Sequence, residues 1–283
     1  MGDLDIAAKA LLREEPGALV RLALPGRAIQ AIEPDETEFQ ALERRMDKLL
    51  RVELVHEKEP VWVHVEVEAV WGADVPGRVF EYWSLAHRTR PALRSLVLVL
   101  RPGEKQGEPV GNYEVSVLGD RVLSFGFDVV CAWKLKAGDL LARREPGLLP
   151  LVPFAEGASA ERVEEALGVL AQDRRSVDLQ VVLAAFASQV FPAEPWFAKI
   201  GKEILMESTL YKEIKVEARR EFVGDLLQRK LGRIKRTEAL VGRLALCSDA
   251  ALDKVVDLLL TSKKKADLLA AVEKLVPKAA EQA

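Results

Sequence analysis

The chain has 283 residues, of which 49% are apolar and 30% charged, with a formal net charge of −3. That is the profile of an ordinary globular protein able to bury one sizeable core and a smaller second unit. No run approaches the roughly eighteen uncharged apolar residues of a membrane-spanning helix, and a near-neutral charge gives no whole-chain attraction for nucleic acid, so such affinity would have to come from local basic patches.

The opening stretch MGDLDIAAKALLREE has acids from its third residue and no apolar leader region, so a secretory signal is not expected. Residues 1–24 read as a helix followed by a short apolar run, with Ala7, Ala10, Leu11 and Leu12 at helical spacing and Pro16-Gly17 interrupting them. A second helix is expected over 35–46, where Asp35 can cap and Phe39, Leu42 and Met46 share a face. The texture then changes. Stretches 49–55, 61–70, 95–100, 113–118 and 121–135 are rich in Val, Leu, Phe and Trp at strand length. Between the second and third lies a helical pattern at 76–87, with Val79, Phe80, Trp83 and Ala86 on one face. This order suits a mixed α/β core.

Pro146, Pro150 and Pro153 mark a change of regime, after which the chain reads as helical. Ser159 can cap a helix running to about 172, and Glu161 suits the positive end of its dipole. Amphipathic segments follow near 174–190, 200–245, 248–261 and 263–276, with Gly232 and Pro277 as breaks and Ser248 with Asp249 as a cap. The expected division is therefore an α/β domain over 1–155 and a helical region over 156–283 that serves assembly or partner contact. Cys131 and Cys247 lie far apart in apolar settings and read as buried free thiols of a cytoplasmic protein.

The informative segment is VWVHVEVEAV, residues 61–70. Its period of two puts Val61, Val63, Val65, Val67 and Ala69 on one face, and Trp62, His64, Glu66 and Glu68 on the other. The preceding strand and a short turn around 57–60 would complete a hairpin. If Val55 pairs with 60–62, Asp47 falls opposite about 68–70, within reach of Glu66 and Glu68. Three carboxylates at such range repel one another, and a divalent cation resolves the conflict. Mg²⁺ suits hard oxygen ligands, and it can activate water beside a phosphate. The expected roles are Asp47 and Glu66 as metal ligands and Glu68 as the group that orients or deprotonates water.

The spacing D-x18-E-x-E on a hairpin after a helix resembles the PD-(D/E)xK nuclease signature at Asp47, Glu66 and Glu68. More closely, the chain resembles the Rpn family of recombination-promoting nucleases and putative transposases. The matching positions are Asp5 and Lys9, then Asp47, then His64, Glu66 and Glu68, then Arg78 and Tyr82. The run from Trp133 to PGLLPLVPF is also family-like, and the C-terminal helices resemble a module appended in related bacterial proteins. The resemblance implies a restriction-endonuclease-like core, a mixed sheet flanked by helices, with an all-helical C-terminal region. It further implies a Mg²⁺-dependent DNA endonuclease (Mn²⁺ as a substitute) that hydrolyses phosphodiester bonds, and the class admits a homodimer. One departure stands out: Glu68 occupies a position where that family usually has Gln and the superfamily Lys.

Supporting residues follow. Lys9 belongs to the family pattern; His64 either faces the metal site or fills strand space; Arg78 and Tyr82, four apart on a helix, reach phosphate or brace the carboxylates, or, for Arg78, pair with Glu81 or Asp74 at the surface. Arg44, Arg45, Lys48 and Arg51 are candidate DNA contacts. Phosphate-loop, His-rich zinc, paired-cysteine and nucleophile-elbow motifs are absent from the sequence. The rival reading is an inactive nuclease-fold scaffold or interaction protein, favoured by Glu68 and the acidic net charge.

Overall fold

The structure, a computed structural model, describes residues 2–34, 47–103, 107–173, 176–232, 234–262 and 264–277. The helix expected over 35–46, with Arg44 and Arg45, lies outside them. The chain forms two compact units, Asp3–Leu210 and a second beginning at Tyr211. The division comes well after the prolines at which the sequence texture changes.

The first unit opens with helices α1 (Gly2–Glu14) and α2 (Pro16–Ala23), the break between them set by Pro16. Strands β1 (Ile29–Pro34), β2 (Lys48–Leu54) and β3 (Val61–Val70) follow, then helix α3 (Val75–His87) and strand β4 (Leu93–Arg101). A hairpin of β5 (Asn112–Val117) and β6 (Asp120–Gly126) precedes the short β7 (Asp128–Cys131). The main sheet has the order β1-β2-β3-β4-β7, antiparallel from β1 to β3 and parallel from β3 to β7. The fold is thus a mixed α/β sheet flanked by helices.

β1 was not anticipated, because its edge position asks for little apolar patterning. The stretch expected as one strand over 121–135 divides at Phe127 into β6, β7 and a 3-10 turn, Ala132–Lys134. β3 is central, so both of its faces are covered. Val63 and Val65 are fully buried on one side, and α2 packs on β3 and β4. On the other side α3 lays Val75 and Val79 against Val97 and Val99 of β4. The β5–β6 hairpin turns through Leu118 and Gly119, both at positive φ (53° and 92°), the backbone a two-residue turn of this twist requires. Its Tyr113 and Phe125 pack on Phe80 of α3 with ring centroids 5.3 and 5.4 Å away.

After α4 (Ala137–Arg143) comes the proline-rich stretch, and it is no linker. Pro146–Phe154 is a 3-10 segment buried from Gly147 to Phe154. A Cβ on Gly147 would lie 2.5 Å from that of Glu15 and 2.6 Å from that of Ala18, so only glycine allows this approach to α2. Helix α5 (Ala160–Leu170) is capped by Ser159, whose Oγ accepts from Arg162 N at 3.4 Å. Helix α6 (Val177–Val190) is buried at every position from Leu179 to Ala187, not along one stripe. A helix apolar all round belongs inside a core. Both α5 and α6 pack on the 3-10 segment, which itself touches β4. These contacts carry the first unit past the expected boundary at 155. Helix α7 (Lys202–Glu207) follows, and α8 (Thr209–Leu231) crosses the division.

The second unit contains most of α8 with α9 (Lys235–Arg243), α10 (Asp249–Thr261) and α11 (Lys265–Leu275). Val223, Leu227, Leu240, Leu252, Val255, Leu268 and Val272 form its core. Gly232, at φ 92°, ends α8 by adopting the left-handed conformation and donating to the Gln228 carbonyl at 2.9 Å. Ser248 caps α10, and Arg243 donates to the carbonyls of Val276 and Pro277 at the end of α11. An open groove of about 680 Å³ runs along α10 and α11, lined by Lys254, Leu258, Asp267 and Lys274 among others.

Among the described residues no helix is long and apolar enough to cross a membrane. Cys131 and Cys247 are both free and buried.

Candidate functional site

The β2–β3 hairpin forms, in a different register from the one expected. Lys48 pairs with Val65 and Val52 with Val61, so one further step sets Asp47 opposite Glu66, not opposite 68–70. The connection between the strands is longer than a tight turn, which shifts β2 along β3.

Two hydrogen bonds join the hairpin at its open end. Asp47 N donates to Glu66 Oε1 at 3.2 Å, and Val67 N donates to Asp47 Oδ2 at 3.2 Å. Side chains have taken over there from the backbone ladder. Leu49, one step of the pleat further on, packs against Ala86 of α3. By strand alternation Asp47, Glu66 and Glu68 therefore share the face that α3 covers.

Glu66 is 4% exposed and His64 fully buried. A buried carboxylate persists only when hydrogen-bonded or paired. His64 Nε2 lies 2.8 Å from Glu66 Oε1, while His64 Nδ1 lies 3.3 Å from Ser95 Oγ on β4. The imidazole also meets Tyr82 of α3 edge-on at 5.6 Å. Of the two readings left open by sequence, His64 thus touches the acidic group and packs the strand interface as well.

Arg78 projects from the first turns of α3, donating Nη1 to Asp74 Oδ2 at 2.6 Å and Nη2 to Glu68 Oε1. Its pairing is with Asp74, as one sequence reading held, and equally with Glu68. Lys9 is exposed on α1. Arg51 is tied to Glu53 at 2.7 Å and Glu33 at 3.4 Å, so its charge is locally balanced, and Lys48 begins β2 half-buried. Sequence reasoning missed Ser95. Its signal is a hydroxyl within the apolar run LRSLVLVLR, opposite His64 in the parallel ladder.

The electrostatics follow from this crowding. Burial pushes the Glu68 carboxyl up to about 7; Arg78 opposes the rise, and the charges of Glu66 and Asp47 add to it. The folded protein thus holds this proton more tightly than the unfolded chain, whose value lies near 4.5. Glu68 accordingly contributes stability that is whole below about 4.5 and lost as pH rises through about 7. Glu68→Gln cannot ionise and should gain on wild type by about 1–2 kcal/mol between about pH 5 and about pH 8, a figure reduced for solvent screening of a partly exposed carboxylate. Urea denaturation at both pH values checks this; a difference that stays constant with pH rejects it.

Among the described residues, no group of three or more His, Cys, Asp or Glu side chains is arranged to hold a metal ion. Mg²⁺, however, is commonly held by one or two carboxylates, with water and substrate phosphate completing its shell. Asp47 and Glu66 fit that smaller requirement. They are adjacent, they supply hard oxygen donors, and Glu66 Oε1 meets both Asp47 N and His64 Nε2. Glu68 is held on Arg78 and stands one step further along the strand.

No protein-family model, curated protein or solved structure matches this chain, so the fold and the geometry of the hairpin mouth carry the functional reading.

Proposed function

We propose that the chain is a metal-dependent phosphodiester hydrolase acting on DNA, of the PD-(D/E)xK kind and similar to the Rpn nucleases. The observation that carries this reading is the interlock of Asp47 with Glu66 and Val67 across the hairpin mouth, beside Glu68. The mixed sheet flanked by helices and the helical C-terminal region accord with it.

Asp47 and Glu66 would hold Mg²⁺ or Mn²⁺, and the bound ion would supply an activated water and neutralise charge on the scissile phosphate. The chain's own residues do the rest. Glu68 takes a proton from the water, a task suited to a carboxyl that titrates close to neutrality. Arg78 steadies Glu68, and its guanidinium is also the group best suited to meet a substrate phosphate. His64 holds Glu66. Lys48, Arg44 and Arg45 remain the candidate contacts to the DNA backbone, with Arg51 a weaker one because Glu33 and Glu53 share its charge.

The second reading, a nuclease-fold scaffold without turnover, is favoured by the Arg78–Glu68 pairing and the lack of a ready three-ligand group among the described residues. Incubating supercoiled plasmid with the protein and Mg²⁺ or Mn²⁺ separates the two. Nicking by wild type that is lost in Asp47→Asn supports the hydrolase; no nicking with either ion, or equal nicking by the variant, supports the scaffold.

A further inference from the structure

Ser95, His64 and Glu66 form a continuous buried chain across two strands. Ser95 is 3% exposed, His64 fully buried and Glu66 4% exposed. The pairing is built into the sheet, because His64 and Ser95 are direct partners in the parallel β3–β4 ladder. A neutral imidazole has one N–H and one acceptor nitrogen, and its partners decide which is which. Glu66 Oε1, which also accepts from Asp47 N, requires a donor from His64 Nε2. The Ser95 hydroxyl can satisfy the opposite nitrogen by donating to Nδ1. An alanine at 95 would remove that donor and leave Nδ1 buried without a partner.

We propose that Ser95 is a positioning residue: the Glu66 carboxylate sets His64 as the Nε2–H tautomer, and the Ser95 hydroxyl, by donating to Nδ1, holds the ring in the orientation that keeps Nε2 on Glu66. Outer groups of this kind orient a ligand and tune its basicity, and their loss costs metal affinity about 10–100-fold. The part of the proposal that concerns a cation rests on the hydrolase reading above; the Ser95 bond to His64 does not.

The test uses the full chain with ¹⁵N-labelled histidine. Only three imidazoles are present, and the His64 signals are identified by their loss in His64→Asn. An unprotonated ring nitrogen resonates far from a protonated one, so each tautomer is read directly. Wild type should show a proton on Nε2 and none on Nδ1. Ser95→Ala should keep the proton on Nε2 but move the Nδ1 resonance, which loses its hydrogen bond, and Ser95→Thr, which keeps the hydroxyl, should restore the wild-type position. In titrations with Mg²⁺ alone followed by calorimetry, Ser95→Ala should bind about 10-fold more weakly than wild type, with Ser95→Thr close to wild type. A proton on Nδ1 in wild type, or a Ser95→Ala spectrum with the wild-type Nδ1 resonance, overturns the role of Ser95. An Nδ1 resonance that depends on Ser95, in a wild-type protein that binds no Mg²⁺, upholds the role of Ser95 and removes the hydrolase reading instead.

Discussion

Glu66→Gln should lower divalent-ion affinity and plasmid nicking by at least about 100-fold while leaving the fold intact. The amide keeps the shape of the side chain and an oxygen able to accept from His64 and Asp47 N, whose bonds span 2.8 and 3.2 Å. What it removes is the negative charge. Loss of a few kcal/mol of charge stabilisation in the transition state corresponds to about two decades in rate. Two further consequences separate this outcome from simple misfolding. Glu68 is pushed up in part by the neighbouring Glu66 charge, so its titration should fall below about 7 in the metal-free variant. Thermal stability should stay level or rise, since burying an ionised carboxylate is costly and functional groups commonly trade stability for activity. Calorimetry with Mg²⁺, the plasmid assay and an NMR titration of Glu68 check the three together. Wild-type Mg²⁺ affinity in Glu66→Gln would remove this residue from the cation site.

Phe186→Ala should destabilise the first unit by about 3–5 kcal/mol, the usual cost of emptying a buried phenylalanine site. Phe186 is fully buried in α6, and its ring meets Phe154 of the 3-10 segment edge-on at 5.1 Å. Since that segment touches β4, the cavity would weaken the sheet and not α6 alone. For a unit of this size the loss corresponds to a fall in melting temperature on the order of 10 °C. Urea unfolding followed by near-UV circular dichroism is a suitable measurement, and Ala→Gly at an exposed position of the second unit is a control that should leave the first transition unmoved. A chain ending near residue 155 would lack α5 and α6 altogether and is expected not to fold. If it folds with an intact sheet, the packing of α6 contributes far less than its burial implies.

The site was legible in sequence to a definite depth. Strict alternation in VWVHVEVEAV was enough to set His64, Glu66 and Glu68 on one face, because that placement depends only on the period of an extended chain. Their partners were not legible. The register of β2 depends on how many residues the connection uses, and a shift of two to four residues along β3 moved the position opposite Asp47 from about 68–70 to Glu66. Ser95 is far from His64 in sequence, and only the parallel pairing of β4 sets them side by side.

The same distinction runs through the whole chain. Local chemistry by itself determined the caps at Ser159 and Ser248, the stop at Gly232, the helix at 75–87 and the central hairpin, since each follows from hydrogen bonding or backbone preference within a few residues. Tertiary structure alone decided that Pro146–Phe154 is core and not linker, that α6 is enclosed on all sides, and that the first unit reaches Leu210. Proline reads as a break when only its missing N–H is considered; buried in the segment on which α5 and α6 pack, Pro150 and Pro153 supply apolar surface, and what surrounds them is a property of distant chain that no local pattern records.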